Sequence, residues 1–192
     1  MKATFTEWLR PENIIIKKSE EIKLDLKIKY FEYFVYQLLL KKEINNSFNN
    51  FKVIKLLFLT CCSTITKDSS GLLDIFDNWV AAPYGHLEKD LEIYIKEKKG
   101  EFSFFKLDRF GITLKENYNT NQIEEFPIVF NSLKVLLEKN KNILNNSGSY
   151  LIDLSMEHKS WVDNYRIALS ENKYWQSIPK EEILNENHYY SC

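Results

Sequence analysis

Glycine and proline are scarce, with five and four in 192 residues, where average usage would give about three times as many glycines. A chain so short of turn formers cannot make the many tight reversals of a β-sandwich, which favours long helices. Three cysteines, two of them adjacent at Cys61-Cys62, exclude a disulfide framework and read as reduced thiols. On a helix the two neighbours point about 100° apart, which makes them poor joint metal ligands and good small core residues. An excess of either charge is missing too: 26 Lys and Arg stand against 27 Asp and Glu, a formal charge of −1. Nucleic-acid affinity comes largely from phosphate neutralisation by a clustered basic surface. The lysine clusters here, at Lys17-Lys18, at Lys41-Lys42 and between Lys96 and Lys99, are short and have acidic neighbours, so they read as solvated helix faces. Long apolar runs are also absent. The longest, Val53–Cys62, is too short for a membrane span and contains Lys55. The opening MKATFTEWLRPEN lacks the apolar core of a signal peptide. The expectation is a cytoplasmic protein that binds neither membrane nor DNA directly.

Aromatic residues are what the chain has in plenty. Thirteen Phe and eleven Tyr predict a bulky core, and a chain of this length buries roughly two-thirds of its unfolded surface without metal or disulfide staples. Phe31, Phe34, Val35, Leu38 and Leu39 fall at i, i+3, i+4, i+7 and i+8, one apolar stripe on a helix. That helix breaks near Asn45-Asn46. Residues 51–62 are apolar nearly all round, which suits a helix in the middle of a bundle; a buried strand is the alternative, but length and leucine content favour helix. Residues 72–86 are the least helix-like, with Pro83 and Gly85 closing a turn, and Leu87, Leu91, Tyr94 and Ile95 then restart a helical stripe. Residues 102–115, aromatic and β-branched around Asp-Arg-Phe-Gly, predict a small hairpin. Asn121 with Glu124 resembles a capping box before a helix through Leu137. Leu151, Leu154, His158, Trp161, Tyr165 and Ala168 define one further long stripe, and Glu181 and Glu182 open a short last helix. The predicted fold is mainly α, a helical bundle with at most a small β-hairpin near 102–115. It divides into an N-terminal arm (1–27), a helical domain (28–186) and a frayed tail (187–192).

Catalytic constellations are missing. There is no GxSxG, no Walker-type glycine loop, no HExxH and no CxxC. Three histidines, at 86, 158 and 188, have no metal-ligand spacing, so no metal or cofactor is expected. His158 shares a helix face with Trp161 and has carboxylates at Asp153 and Glu157, but no nucleophile stands nearby for it to activate. Asp74 and Asp77 could approach one another on a helix, although charged residues are mostly solvated. Trp79, Pro83 and Tyr84 are large, stiff groups around a turn. Either Trp79 plugs the core and the turn redirects the chain, or the turn presents an aromatic anchor to a partner, as interface hot spots favour Trp and Tyr.

Three segments in register resemble the Panacea domain, the SocA-like antitoxin family. IKLLFLTCC (54–62) is similar to its KLLYFAQ-type helix. FDNWVAAPYGHLEKDLEIYI (76–95) resembles its aromatic-Trp-Tyr-Gly-Pro signature and following helix. SMEHKSWVDNYRIAL with YWQSIPKEEI (155–183) resembles its closing Thr-His, Trp and Ile-Pro pattern. Here Pro83 precedes Tyr-Gly instead of following it, His86 stands in the family's proline position, and Glu157 replaces the Thr before His158. The resemblance implies a helical, non-enzymatic module that neutralises a cognate toxin protein, encoded beside it, by direct binding. Trp79, Pro83, Tyr84, Gly85, His86 and His158 are the candidate partner-binding residues. The alternatives are a phage or mobile-element accessory protein of anti-defence or structural role, and a hydrolase using His158. Homo-oligomerisation stays open.

Overall fold

Helix α1 (Pro11–Leu40) runs for 30 residues. The computed structural model describes residues 11–41, 48–116, 118–119 and 122–186. The expected boundary between residues 27 and 28 falls inside α1. Residues 1–10 of the expected arm, the break at Asn45-Asn46 and the tail 187–192 lie outside the described residues. Phe31, Phe34, Val35 and Leu38 form the buried stripe of α1, as their spacing predicts.

Helix α2 (Asn50–Ser63) starts where Asn49 Oδ1 accepts the Lys52 N–H, and every residue from Lys52 to Ser63 is buried. It lies at the centre, against α4 (Pro127–Lys139) and α5 (Gly148–Met156). Each fully buried Leu or Phe here contributes about 1.5–3 kcal/mol, so α2 carries much of the core. Cys61 and Cys62 are packed in it, and burial pushes the Cys61 thiol well up. Phe51, one residue into the helix, is the exception and is exposed.

Two small antiparallel sheets complete the mainly α fold. The expected hairpin is formed by β3 (Phe105–Leu107) and β4 (Ile112–Leu114). Asp108 Oδ1 closes its loop by accepting the N–H groups of Phe110 at 2.8 Å and Gly111 at 3.3 Å. The second sheet, absent from the sequence expectation, has the order β2-β1-β5, with β1 (Trp79–Ala82), β2 (Gly85–Glu88) and β5 (Gln176–Ser177). Leu87 therefore belongs to a strand, and helix α3 (Lys89–Glu97) begins after it, capped by Glu88 Oε2 on the Leu91 N–H at 2.8 Å.

Two helix expectations are corrected. The stripe through 151–169 is two helices, α5 and α6 (Lys159–Ser170), because His158 adopts extended backbone angles as the N-cap of α6. The Asn121–Glu124 capping box is not what starts α4: its N-cap is Phe126, and Glu124 instead pairs with Lys29 at 3.0 Å. Asn121 itself lies outside the described residues. Helix α7 (Lys180–Leu184) begins after Pro179 with Glu181 and Glu182 in its first turn, as predicted.

Candidate functional site

Strands β1 and β2 are joined by two residues, Pro83 and Tyr84, with Ala82 facing Gly85 across the turn. Neither turn residue takes positive φ; Gly85, the first residue of β2, does so at +84°, the left-handed position that follows the turn in a bulged hairpin. A Cβ there would lie 2.6 Å from Ser155 Oγ on α5, so the hairpin end presses directly on that helix. Trp161 on α6 holds the turn from another side, donating from Nε1 to the Ala82 carbonyl at 2.9 Å. Of the six candidate residues only Tyr84 is exposed, at 57%, and Pro83 is half-buried. Trp79 is buried and donates from Nε1 to the Phe76 carbonyl at 2.7 Å. Gly85, His86 and the side chain of His158 are enclosed as well. Tyr84 is thus the candidate presented to solvent, while the others support it from beneath. Tyr84 stands edge-on to the exposed Phe51, with ring centroids 6.0 Å apart. Between them, Ile54, Leu87, Ile95 and Tyr174 line an apolar pocket of about 290 Å³.

The two histidines belong to a buried polar chain. His86 stacks on Phe58; its backbone N–H donates to Ser155 Oγ at 2.9 Å, and its Nδ1 lies 3.0 Å from that same oxygen. Its Nε2 is 3.0 Å from Ser160 Oγ. Ser160 Oγ donates to Glu186 at 3.0 Å, and His158 Nδ1 lies 3.0 Å from the same carboxylate oxygen. Burial pushes Glu186 up, but hydrogen bonds from His158 and Ser160 outweigh it and hold the carboxyl below its usual range. Nδ1 of His86 also lies 3.1 Å from the Ser155 carbonyl, so the ring bridges Ser155 on one side and Ser160 on the other. None of these five residues lines the pocket at the turn. The chain fastens α5, α6 and the segment after α7 to β2.

Carboxylates do converge, though not as Asp74 with Asp77. Asp74 pairs with Lys180, whereas oxygens of Asp77, Glu88 and Asp90 come within 4.8 Å of one another. The position a cation would take among them is filled by the Lys27 ammonium, 2.6 Å from Glu88, 3.1 Å from Asp77 and hydrogen-bonded to Asp90. Burial lowers Lys27, but Glu88 and Asp90 overcome it and push it up to about 12. Lys23 reaches Asp77 as well. The cluster thus clamps α1 to the strand β2 and the start of α3.

Three residues of this region went unassigned in the sequence: Phe51, Tyr174 and Lys55. Phe51 is one of the apolar residues of 51–62, and Tyr174 lies in no periodic segment. Lys55 had a signal, a lysine inside an otherwise apolar helix, which is a poor place for a charge unless something pairs it. Its Nζ donates to the His86 carbonyl, and burial alone brings it down to about 7.

Set against known proteins, the chain matches no family model, no curated protein and no solved structure.

Proposed function

We propose that this protein is an antitoxin-like binding module that neutralises a genetically linked toxin by forming a direct complex with it. The observation that carries the reading is Tyr84, exposed at the tip of a turn whose flanking strands are buried. It is flanked by Phe51 and Tyr174, both also exposed. Aromatic groups held rigidly on the outside by a packed hairpin are the material of interface hot spots, which favour Tyr and Trp in well-supported positions. Leaving them in water forgoes burial of about 1.5–3 kcal/mol for each large side chain, and a partner recovers it. The three-segment resemblance to the Panacea family adds the kind of partner: a toxin encoded beside this chain. None of Ser160, His86, His158 and Glu186 lines the pocket at the turn, so that polar chain gives no support to a hydrolase there.

The test is co-expression with the product of the neighbouring gene. The expected outcome is relief of its toxicity and a complex that survives gel filtration. Toxicity unrelieved, with the two proteins eluting separately, removes this reading. Copurification with virion or defence components instead would favour the phage-accessory role.

A further inference from the structure

Three lysines of the described chain are buried, and two of them have evident reasons to be so. Lys27 has three carboxylates. Lys52 donates to the Leu144 carbonyl at 2.7 Å and lies over the Phe48 ring. Lys55 differs. It is 3% exposed, one of its N–H groups goes to the His86 carbonyl, and no carboxylate pairs with it among the described residues. A buried ammonium without a counter-ion is among the costlier arrangements in a protein interior, and a methionine in its place would avoid that cost.

Lys55 also forms part of the wall of the pocket at the hairpin turn. The neighbouring wall is apolar, from Phe51, Ile54, Leu87 and Ile95, and the pocket of about 290 Å³ is near the lower bound for small-molecule sites. At its edge Glu92 is held by both Lys89 and Lys96, two cations to one anion, so the local charge there is one positive. The geometry points to a binding site for a carboxylate carried on an apolar or aromatic group: the carboxylate supplies the counter-ion to Lys55, and the apolar group lies against Phe51, Ile54, Leu87 and Ile95. The carboxylate comes either from a free aryl acid or from an acidic group of a partner protein beside an apolar side chain. The ligand chemistry does not depend on the antitoxin reading.

Binding of this kind is linked to a proton. Lys55 titrates at about 7 in the unliganded protein, and a bound anion raises it. Below about pH 7 the ammonium is already present and affinity is flat. Above it, binding must take up a proton, and affinity falls about tenfold per pH unit. The other titratable groups around Lys55 are His86 on β2, Tyr84 in the turn, Glu92 and Lys96 on α3, Tyr174 beyond α6 and Lys52 on α2 itself. Replacing Lys55 alone separates its proton from theirs.

The experiment is calorimetric titration of the full chain with 3-phenylpropionate and with the uncharged 3-phenylpropionamide. It is run at about pH 6 and about pH 8.5, in buffers of different ionisation enthalpy. The expected result is an acid at least tenfold tighter than the amide at the lower pH, with proton uptake at the higher pH. Both differences should vanish in Lys55→Met. Equal affinity for acid and amide in the wild-type protein, or acid binding without proton uptake at the higher pH, overturns the proposal even if Lys55→Met does not fold. A final arm identifies the source. Displacement of the partner from its complex by saturating 3-phenylpropionate assigns the natural carboxylate to the partner, and an undisturbed complex assigns the pocket to a free acid.

Discussion

The imidazole of His86 lies flat on the ring of Phe58, with centroids 3.6 Å apart and 14° between the planes. The same ring meets Trp79 edge-on at 5.1 Å and His158 at 5.1 Å. One fully buried phenylalanine of α2 thus touches three of the six residues picked out as partner-binding candidates. Phe58→Ala should cost about 3–5 kcal/mol of stability through the cavity it leaves. Urea denaturation measures this; a loss under about 1 kcal/mol would mean that the three rings hold their places without Phe58.

Tyr84 and its neighbour Gly85 should separate binding from folding. Tyr84→Ala removes an exposed ring and should leave the melting temperature nearly unchanged, while weakening the partner complex by about 2 kcal/mol or more. Gly85→Ala places a Cβ against Ser155 Oγ at a backbone angle of +84° and should cost about 1–3 kcal/mol of stability. Thermal melts and partner titrations on both variants check this. A Tyr84→Ala protein with a collapsed melting temperature and intact affinity would take Tyr84 out of the interface.

Lys55 should make stability depend on pH in an unusual direction. An unfolded lysine titrates near 10.5 and the folded one at about 7. Between these values the unfolded chain binds a proton that the folded chain lacks, so this residue's contribution improves as pH rises through that window. Below about 7 the full burial penalty is present. Lys55→Met should therefore be more stable than the wild type by several kcal/mol at about pH 6, with the gap shrinking by about 1.4 kcal/mol per unit toward pH 9. Denaturant midpoints across that range read the gap directly. A constant gap would show that Lys55 keeps its proton in the folded state.

Lys27 is held by the opposite arrangement, and the sign reverses. Its folded value is raised to about 12 from 10.5, so its stabilising contribution is complete below about pH 10.5 and is lost only as pH rises through 12. At neutral pH, Lys27→Met strands the fully buried Glu88 beside Asp77 and Asp90 and should cost about 3–5 kcal/mol. Adding Glu88→Gln should recover part of that loss. A double variant less stable than Lys27→Met alone would mean that Glu88 is held mainly by its cap on α3.

The periodicity of residues 51–62 determined that α2 is a central helix, because apolar residues on every face leave it no surface to present to water. The stripe from Phe31 to Leu38, the hairpin around Asp108–Gly111 and the short last helix were legible for similarly local reasons. Tertiary structure alone decided the rest. Trp79 and His86 look like partner ligands in a turn-rich stretch, but β5, from nearly 100 residues later, pairs with β1, and Trp161 and Ser155 close over the hairpin. His158 looks like part of one long stripe, yet the chain bends there and Glu186 accepts its Nδ1. Lys27 finds its three carboxylates 50–63 residues away, and Lys55 finds none. Spacing along the chain records which side chains share a face, since that follows from the helical and strand repeats. Which charge ends up opposite which depends on how whole elements pack, and no local repeat carries that information.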